Sequence, residues 1–475
     1  EDLIRVDTEK AANYARLVAA DGKVTFRAVI NVAGRRDSVS ARFAYFAADG
    51  AKRIVDAPVL TDAAASLELD VKDLAMGSHP VGFELTDADG RRLGGAAIPF
   101  ERLARLPERY SYLDGRGRLI VAGKPFFPLG MYWSVAKSYH SYKLPNLNAT
   151  SIVAFADSPF NCTMPYAGLS KEQLDLCQKH GIMAIYPLLS DFSKGDWDPT
   201  GTDRNRAFPA DAVRHISSYK GHPALLAWYV NDERNVREIV NLRGRQRVVE
   251  ALDPDHPTWV CLYQYDQIAE YMGSFDCVGT DPYPVPQASI GNVALWTRTT
   301  REEVMDLKPM WQVPQAFSWG EWSRKEGDTR RFPTREEMVN MTWQCVANGA
   351  NGLVYWCYRL LYQDGKFRVD HWADICAAAA SVKPYVPMIL SDETAPEVKC
   401  ANENLSVRAW RYQGDAYLAV VNNTRETVSG KVDVKASFAK ARVLQGNAGC
   451  VRSAAEGALM LSLEGLGYAV LALDR

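Results

Sequence analysis

The sequence predicts a central (β/α)8 barrel flanked by an amino-terminal and a carboxy-terminal β-sandwich domain. Apolar strands alternate with amphipathic helices through the middle of the chain, which is typical of a parallel sheet covered by helices. Eight such units fit in about 275 residues, the usual size of a TIM barrel. On both sides of this region the pattern changes to the period-two alternation of half-buried strands. We therefore divide the 475 residues into 1–108, 109–392 and 393–475.

The amino-terminal segment has the sequence pattern of an immunoglobulin-like sandwich. Apolar and polar residues alternate at 24–30 and 66–71. Turn signals that end in glycine, which adopts positive φ angles readily, occur at 48–50 and 87–90. No cluster of aromatic residues marks a sugar-binding surface in this segment. We expect it to pack against other parts of the protein rather than to bind carbohydrate.

Eight strands and five helices are predicted in the barrel segment. The strands lie near 126–132, 159–165, 182–188, 225–231, 258–263, 276–281, 310–315 and 353–358. The helices lie near 169–180, 208–219, 235–252, 334–348 and 370–380. Thr334 followed by Glu336 and Glu337 is an N-cap signal for the fourth of these helices. A doubly wound sheet is the alternative, but no glycine-rich nucleotide-binding motif opens any of the helices.

The carboxy-terminal segment returns to the period of a strand. Alternating runs at 405–410, 416–421 and 468–473 predict a small second sandwich. The nine cysteines of the chain fall mostly inside apolar runs, and we interpret them as small buried hydrophobic residues. A disulfide between Cys400 and Cys450 remains open at this stage.

Charge and composition exclude several classes of partner. The 55 basic and 57 acidic residues nearly cancel, so we expect no nucleic acid partner, whose binding depends on neutralising phosphates. No run of eighteen apolar residues occurs, and we expect no membrane span. No Cys/His cluster has zinc-ligand spacing, so neither a metal nor an organic cofactor is implied. The chain begins at Glu1 without an initiator Met, from which we expect an exported protein whose signal has been removed.

In a TIM barrel, the residues that carry chemistry follow the carboxyl ends of the strands. Aromatic residues recur at these positions together with amides and carboxylates. Aromatic rings stack on the apolar faces of a sugar, and amides or carboxylates bind its hydroxyl groups, so the pattern predicts a carbohydrate site. A purely structural alternative places any single aromatic residue in the layer between barrel and helices. The predicted substrate-binding residues are Tyr132, Trp133, Asn161, Asp191, Asn231, Tyr263, Asp281, Tyr283, Gln315, Trp319, Trp356 and Tyr358.

The strongest local signal is the pair Asp232 and Glu233, directly after the apolar run 225–230. Trp228 and Tyr229 precede the pair, and partial shielding by such rings raises the pKa of a carboxyl, as a general acid requires. The structural alternative is an acidic N-cap for the helix that follows. The pair comes after the fourth of eight strands, and this position favours a catalytic role.

Segments 114–132, 221–234 and 331–358 resemble those of bacterial TIM-barrel glycoside hydrolases with β-sandwiches before and after the barrel. The resemblance covers the three-part layout of the whole chain. In the largest clan of these enzymes the fourth strand ends in Asn-Glu, with Glu as the acid/base, and the seventh ends in a nucleophilic Glu. This sequence departs at both places, because Asp232 is inserted between Asn and Glu and Gln315 ends the seventh strand.

The departure at Gln315 points to glycosidases in which the substrate supplies the nucleophile. The β-N-acetylhexosaminidases and β-N-acetylgalactosaminidases of similar layout carry Asp-Glu at the fourth strand, and the 2-acetamido group attacks its own anomeric carbon. This resemblance implies that Glu233 is the acid/base and that Asp232 orients the acetamido N–H. It also implies a tyrosine that holds the acetamido oxygen, for which Tyr283 and Tyr358 are candidates.

Three functions remain open from the sequence. The first is a retaining exo-β-N-acetylhexosaminidase, with galacto-configured substrates preferred. The second is a glycosidase for a sugar without an acetamido group, in which Glu233 is the acid and Asp281, Asp191 or Glu321 is the second carboxylate. The third is a non-catalytic carbohydrate-binding barrel in which Gln315 marks a lost nucleophile. The presence of Glu233 argues against the third.

Overall fold

The chain divides into two compact units in the computed structural model. The first is Glu1–Lys124 with Pro254–His256 and Met305–Lys308, and the second is Pro125–Asp253, Pro257–Val304 and Pro309–Arg475. The predicted boundary at residue 392 lies inside the second unit. The structure describes residues 4–5, 17–20, 22–30, 39–57, 64–98, 100–104, 110–114, 116–133, 147–166, 168–193, 197–200, 208–321, 330–363, 366–455 and 457–474.

The first unit is built from short, mostly antiparallel strands. One sheet has the strand order Lys52–Ala57, Val39–Phe46, Val81–Asp87 and Arg92–Ile98. A second sheet has the order Ile4–Arg5, Lys23–Ile30 and Ala64–Asp70. A third has the order Leu17–Ala19, Phe100–Arg102 and Gly77–Ser78. Ser111–Leu113 pairs with Leu119–Val121, and the short strand Lys124–Phe126 follows. Phe26, Phe43, Phe83 and Phe100 are buried in one core, as expected for the predicted amino-terminal β-sandwich.

The second unit contains the predicted parallel barrel. Its eight strands are β1 Leu129–Tyr132, β2 Cys162–Met164, β3 Met183–Pro187, β4 Leu225–Asp232, β5 Thr258–Leu262, β6 Cys277–Thr280, β7 Trp311–Gln312 and β8 Gly352–Tyr355. The sheet runs in the order β6-β5-β4-β3-β2-β1-β8-β7 with every pair parallel. A parallel bridge between Val278 and Met310 brings β6 to β7. Each strand overlaps a predicted one, so the fold class is confirmed.

Helices follow most of the strands. They are α1 Ala149–Ala156, α2 Lys171–Lys179, α3 Ala210–Tyr219, α4 Ile239–Leu252, α5 Asn292–Glu303, α6 Arg335–Ala347, α7 Val369–Val382 and α8 Val386–Ile389. Short 3-10 segments are Val71–Asp73, Val236–Glu238, Ile268–Tyr271, Trp319–Glu321, Tyr358–Leu361 and Lys383–Tyr385. The five predicted helices correspond to α2, α3, α4, α6 and α7. The helices α1, α5 and α8 were not predicted; in α5 the valine and three threonines have weak helix propensity.

The carboxy-terminal strands form two packed antiparallel sheets. One sheet is Val398–Cys400, Val428–Val434, Ala458–Leu463 and Val451–Ala455 in order. The other is Leu405–Tyr412, Asp415–Asn422, Tyr468–Asp474 and Lys440–Gly446. Cys400 and Cys450 are both free thiols, so the disulfide that the sequence left open is not formed in the structure. None of the helices in the described part of the chain has the length and apolar character needed to cross a membrane.

This sandwich shares buried surface with the barrel's helices. The ring of Trp343 on α6 stacks on Tyr468 with centroids 5.4 Å apart. Asn340 Nδ2 donates to the carbonyl of Asn422 at 2.9 Å. Trp410 and Val421 belong to the same buried cluster as the barrel core. The sandwich is therefore joined to the barrel by apolar packing as well as by hydrogen bonds.

We expect Glu337→Gln to lower the free energy of unfolding by about 3 kcal/mol, because it removes one partner of a buried ion pair. Glu337 is 1% exposed and accepts from Arg331 at 2.7 Å, from Arg425 at 2.6 Å and from the amide of Thr334 at 2.7 Å. These donors lower its pKa from 4.5 to about 2 against the effect of burial. The contribution of Glu337 to the free energy of unfolding is therefore complete above pH 4.5 and is lost as the pH falls towards 2. Urea denaturation of the wild-type protein and the variant at pH 7 and pH 3 measures this contribution.

The exposed Glu302→Gln on α5 is the matched control for this substitution. A destabilisation that is as large at pH 3 as at pH 7 contradicts the ion-pair explanation, since at pH 3 Glu337 is mostly protonated in the unfolded chain and much of its contribution to the free energy of unfolding is lost.

Candidate active site

Three carboxyl groups meet at the carboxyl-terminal end of the barrel. Asp232 is the last residue of β4, Glu233 follows it, and Asp281 follows β6 directly. The amide of Glu233 donates to the carbonyl of Cys261 on β5 at 2.8 Å, which continues the pairing of the two strands by one residue. Glu233 then has φ +52°, in the left-handed region that residues with a Cβ adopt at some cost. The chain turns sharply there, and the Glu233 side chain is exposed.

Asp232 is held between two tyrosine hydroxyls. Tyr229 donates to its Oδ1 at 2.5 Å, and Tyr166 donates to its Oδ2. A β-bulge between Tyr229 and Asn231 alters the pairing of β4 with β5 just before Asp232, and a bulge can redirect the side chains that follow it. Burial is the larger cause and the negative charge of Glu233 the smaller, and together they raise the pKa of Asp232 to about 8. Asp232 therefore retains its proton to a much higher pH than an ordinary aspartate.

Asp281 shares a hydrogen bond with Glu233. Its side chain is 6% exposed, and burial, the hydrogen bond and the charges of Glu233 and Asp232 raise its pKa well above the usual range. Asp281 consequently keeps its proton to a much higher pH than an ordinary aspartate and can donate it in the hydrogen bond to Glu233. Glu233 reaches solvent, while Asp281 lies beneath it. This arrangement suits the delivery of a proton to a bound ligand.

An aromatic wall defined by Tyr132, Tyr166 and Trp356 stands beside Asp232. The Tyr132 ring lies 4.8 Å from that of Trp356 and 6.0 Å from that of Tyr166, and Trp356 lies 5.7 Å from Tyr166. Tyr132 also donates to the hydroxyl of Tyr229 at 3.1 Å. Two of the predicted residues, Tyr132 and Trp356, thus meet at the site. Tyr166 and Trp356 are partly exposed and offer flat apolar surfaces of the kind on which sugars stack, while Tyr132 is buried behind them.

Tyr283 and Trp319 lie at the rim of the barrel, in the loops that follow β6 and β7. Trp319 Nε1 donates to the carbonyl of Tyr283 at 3.2 Å, and their rings are 6.1 Å apart. Burial and the charge of Asp281 raise the pKa of Tyr283 well above its usual value, so its hydroxyl is neutral. Both predicted residues are partly exposed at the rim. Among the described residues, no group of three His, Cys, Asp or Glu side chains is arranged to hold a metal ion.

Five predicted site residues lie away from the carboxyl cluster or have a structural role: Trp133, Tyr358, Asn161 and Asp191, and also Gln315, which is described below. Trp133 and Tyr358 are 3% and 4% exposed, with rings 4.8 Å apart in the layer between the barrel and α1. Asn161 precedes β2 rather than following it, so it lies at the opposite end of the barrel. There it accepts from the amide of Leu129 and donates to the carbonyl of Phe127.

The fourth is Asp191, which is bound to a helix. Its Oδ2 lies 2.6 Å from Nδ1 of His215 on α3, and its side chain is 5% exposed. Asn231 and Tyr263, by contrast, lie next to the carboxyl cluster: Asn231 precedes Asp232 with its side chain buried, and Tyr263 is 50% exposed. The side chain of Glu321 lies outside the described residues.

Gln315 is a structural residue in this arrangement. It is fully buried, its Oε1 accepts from the amide of Val285 at 2.8 Å, and its Nε2 donates to the carbonyls of Val285 and Phe317. Both of its amide hydrogens are therefore used. The side chain fixes the loop after β6, which carries Asp281 and Tyr283, to the end of β7.

We expect Gln315→Glu to lower the free energy of unfolding by about 3 kcal/mol and to produce no new hydrolytic activity. A carboxylate at this position faces the carbonyls of Val285 and Phe317 without a donated hydrogen, and buried unsatisfied groups of this kind cost about 1–3 kcal/mol each. Urea denaturation measures the loss, with the exposed Gln267→Glu as the matched control. A stable variant that gains activity on sugars without an acetamido group would instead identify residue 315 as a lost nucleophile position.

Three residues near the carboxyls were not among the predicted ligands. Tyr166 binds Asp232, Gln264 Nε2 donates to the carbonyl of Glu233 at 3.5 Å, and Cys261 accepts from that residue's amide. Burial raises the pKa of the Cys261 thiol well above its usual value, so it is uncharged. Tyr166 and Gln264 each follow a strand by two residues, which is the signal that could have identified them, and Cys261 lies one residue before the end of β5.

Comparison with known proteins identifies the fold and no family. No family model matches the chain, and no curated protein matches it in sequence. A glycoside hydrolase family 5 structure from Bacteroides vulgatus superposes with a TM-score of 0.51 at 13% identity, covering 75% of this chain and 91% of that one. A cyclomaltodextrinase superposes with a TM-score of 0.50 at 12% identity over 99% of both chains. These likenesses agree with a TIM barrel accompanied by β-sandwich domains.

A more distant likeness is to the β-glucuronidase of Bifidobacterium dentium, solved with coumarin-3-O-glucuronide. The TM-score is 0.40 at 16% identity, over 76% of this chain and 63% of that one. The chain described here thus spans less than two thirds of that enzyme's length.

Proposed function

We propose that the protein is a glycoside hydrolase in which Glu233 is the acid/base. The observation that carries this proposal is the meeting of Asp232, Glu233 and Asp281 at one end of the barrel, beside an aromatic wall. Glu233 is exposed, and the buried Asp281, whose pKa is raised well above its usual value, is hydrogen-bonded to it. A carboxyl in this situation is suited to protonate a glycosidic oxygen. The two solved structures with the most similar barrels described above are also named as glycosidases, which supports the proposal by analogy.

The closeness of Asp281 to Glu233 argues against a conventional pair of catalytic carboxylates. Retaining enzymes hold the two groups about 5–5.5 Å apart and inverting enzymes about 6.5–9.5 Å apart. The hydrogen bond joins Glu233 and Asp281 directly, so the two carboxyls would have to separate before a sugar or a water could lie between them. Gln315, a neutral amide, cannot form a glycosyl ester. The nucleophile is therefore better sought in the substrate.

We propose more specifically that the substrate is a terminal β-N-acetylhexosamine, with the galacto configuration preferred. The acetamido oxygen attacks the anomeric carbon as the glycosidic bond breaks, and Glu233 transfers its proton to the leaving oxygen. Asp232 releases its proton to solvent when the substrate binds, then accepts the acetamido N–H and stabilises the positive charge of the oxazolinium ion. Glu233 then removes a proton from water, which attacks the same carbon and restores the acetamido group. The configuration at that carbon is retained.

Tyr166 is suited to a part in this reaction that the sequence assigned to Tyr283 or Tyr358. Its hydroxyl already lies on Asp232 Oδ2, where the acetamido N–H is proposed to bind. When the N–H takes that position, the freed hydroxyl of Tyr166 can donate to the acetamido oxygen instead. Tyr358 is buried in the helix layer, and Tyr283 lies on the side of Asp281.

A second candidate is a glycosidase for a sugar without an acetamido group, with Asp281 as the partner of Glu233. The direct hydrogen bond between the two favours Asp281 over Asp191, which is bound to His215. This mechanism requires the two carboxyls to separate when substrate binds.

Release of nitrophenol from matched aryl β-glycosides tests the proposal and separates the two candidates. We expect turnover of p-nitrophenyl β-N-acetylgalactosaminide or glucosaminide to exceed that of the corresponding 2-hydroxy glycosides at least tenfold. We also expect retention of configuration by proton NMR and inhibition by thiazoline mimics of the oxazoline. Equal or faster hydrolysis of the 2-hydroxy glycosides favours Asp281 as the second carboxylate. No hydrolysis of any β-glycoside argues for a binding barrel.

A further inference from the structure

We infer that the β5 side of the barrel rim is a subsite for a carbohydrate leaving group, with Tyr263 as its first stacking ring and the Tyr265–Trp296 pair as its second. This inference rests on the proposed function, because it takes Glu233 to be the group that protonates the leaving oxygen. It goes beyond that function in specifying what lies beyond the broken bond: another sugar ring, followed by at least one more.

Tyr263 lies beside the carboxyl cluster. The register of β5 with β6 pairs Leu262 with Thr280, so Tyr263 stands level with Asp281 on the neighbouring strand. The next residue, Gln264, donates its Nε2 to the carbonyl of Glu233. The loop after β5 is therefore attached to the turn that presents Glu233, and a group bonded to Glu233 extends over this loop.

The exposure of Tyr263 distinguishes it from the aromatic residues on the opposite side of the barrel. The Tyr263 side chain is 50% exposed, whereas Tyr132 in the aromatic wall is 1% exposed. In a closed eight-stranded sheet β1 and β5 stand across the barrel from one another. The aromatic wall with Asp232 is thus suited to the sugar that is hydrolysed, and Tyr263 to the ring on the other side of the glycosidic oxygen.

Gln264 supplies a polar group at the same place. Since its Nε2 faces the carbonyl of Glu233, its Oε1 is the remaining atom of the amide, and this atom is buried without a hydrogen-bond partner among the described residues. Buried acceptors of this kind are rare in folded proteins. A sugar hydroxyl, with or without an intervening water, would satisfy it.

The second stacking surface lies two residues beyond Tyr263 along the same loop. Tyr265 stacks on Trp296 of α5 with centroids 4.6 Å apart and an angle of 15° between the rings. Sugars bind flat aromatic surfaces through their apolar faces, and a pair of rings held parallel presents such a surface without ordering on binding.

The test compares leaving groups in wild-type protein and in Tyr263→Ala. The substrates are the N-acetylhexosaminyl fluoride, whose leaving group has no ring, and a β-linked disaccharide of the same terminal sugar. We expect kcat/KM for the disaccharide to fall on the order of tenfold more than that for the fluoride, and Tyr263→Phe to restore it. Tyr110→Ala, at an equally exposed tyrosine of the first unit, should leave both unchanged. Equal losses on the two substrates would overturn the subsite.

Binding separates this inference from the proposed function. Isothermal titration of the disaccharide into Glu233→Gln and Glu233→Gln/Tyr263→Ala requires no turnover. We expect weaker binding by the double variant, also on the order of tenfold. Equal affinities, or no binding by either protein, overturn the subsite even if aryl glycosides are hydrolysed. If no glycoside is hydrolysed but the difference in binding is found, the proposed catalysis fails and the stacking surface stands.

Discussion

Glu233→Gln is expected to lower kcat on an unactivated disaccharide about 10²–10⁴-fold, the usual effect of removing a general acid. An amide cannot supply the proton that the leaving oxygen needs, although it preserves the size of the side chain and its hydrogen bond to Asp281. The loss should be smaller on p-nitrophenyl glycosides, since nitrophenolate departs without protonation. Steady-state kinetics on both substrates measures the difference.

Glu302→Gln serves as the control, because it makes the same chemical change at an exposed position on α5. The far-ultraviolet circular dichroism of the two variants should match that of the wild-type protein. If Glu233→Gln hydrolyses the disaccharide at the wild-type rate, Glu233 is not the acid, and the carboxyl cluster needs a different assignment.

Asp232→Asn is expected to lose about 10²–10³-fold in kcat on N-acetyl substrates while becoming more stable. The loss follows because an amide carries no charge to stabilise the oxazolinium ion, and removal of one such electrostatic group typically has an effect of this size. The matching 2-hydroxy substrates should be affected far less. A comparable loss on both sugars would contradict the role proposed for Asp232.

The gain in stability follows from the raised pKa of Asp232. Its pKa is about 8 in the folded protein against 3.8 as an ordinary aspartate. The folded state therefore binds this proton more tightly, and stability falls as the pH rises from about 4 to about 8. Asparagine is neutral throughout, so the gain should be about 1–2 kcal/mol at pH 5 and at most about 5 kcal/mol at pH 9. Urea denaturation at the two pH values measures this.

The exposed Asp415→Asn, on the carboxy-terminal sandwich, is the control for this experiment. A gain that does not depend on pH would show that packing, rather than the buried carboxyl, explains the stabilisation. Asp232 thus lowers the stability of the fold because its pKa is raised, and its role in the reaction explains why an aspartate is kept at this position.

The barrel strands were predictable because buried parallel strands are short apolar runs at regular spacing. The same logic identified Asp232, Glu233 and Asp281, since each directly follows such a run. It could not show that Asp281 bonds Glu233, because that contact depends on how β4 and β6 are brought together across β5. It misplaced Asn161 because β2 has only three residues, so an error of a few residues in its bounds moves a side chain from one end of the strand to the other.

The role of Gln315 could not be predicted from the sequence for a different reason. Its position at the end of the seventh strand marked it as the replacement of a nucleophile, and only the hydrogen bonds to Val285 and Phe317 reveal it as the residue that fixes the loop after β6. Tyr166 is the converse case, since its place two residues after β2 marks it as a candidate but does not show which group it contacts. Its contact with Asp232 arises from two strands that are far apart along the chain.

The packing of Trp343, Trp410 and Val421 into one cluster has a consequence for how this architecture can vary. A sandwich whose apolar residues complete the layer behind α6 is not an interchangeable module. Exchange of this sandwich for one from another protein would leave Trp343 without the ring of Tyr468 and Asn340 without its acceptor. Barrel and trailing sandwich should therefore unfold in one cooperative transition and be inherited together, with amino-acid changes on α6 compensated on the strand Asp415–Asn422.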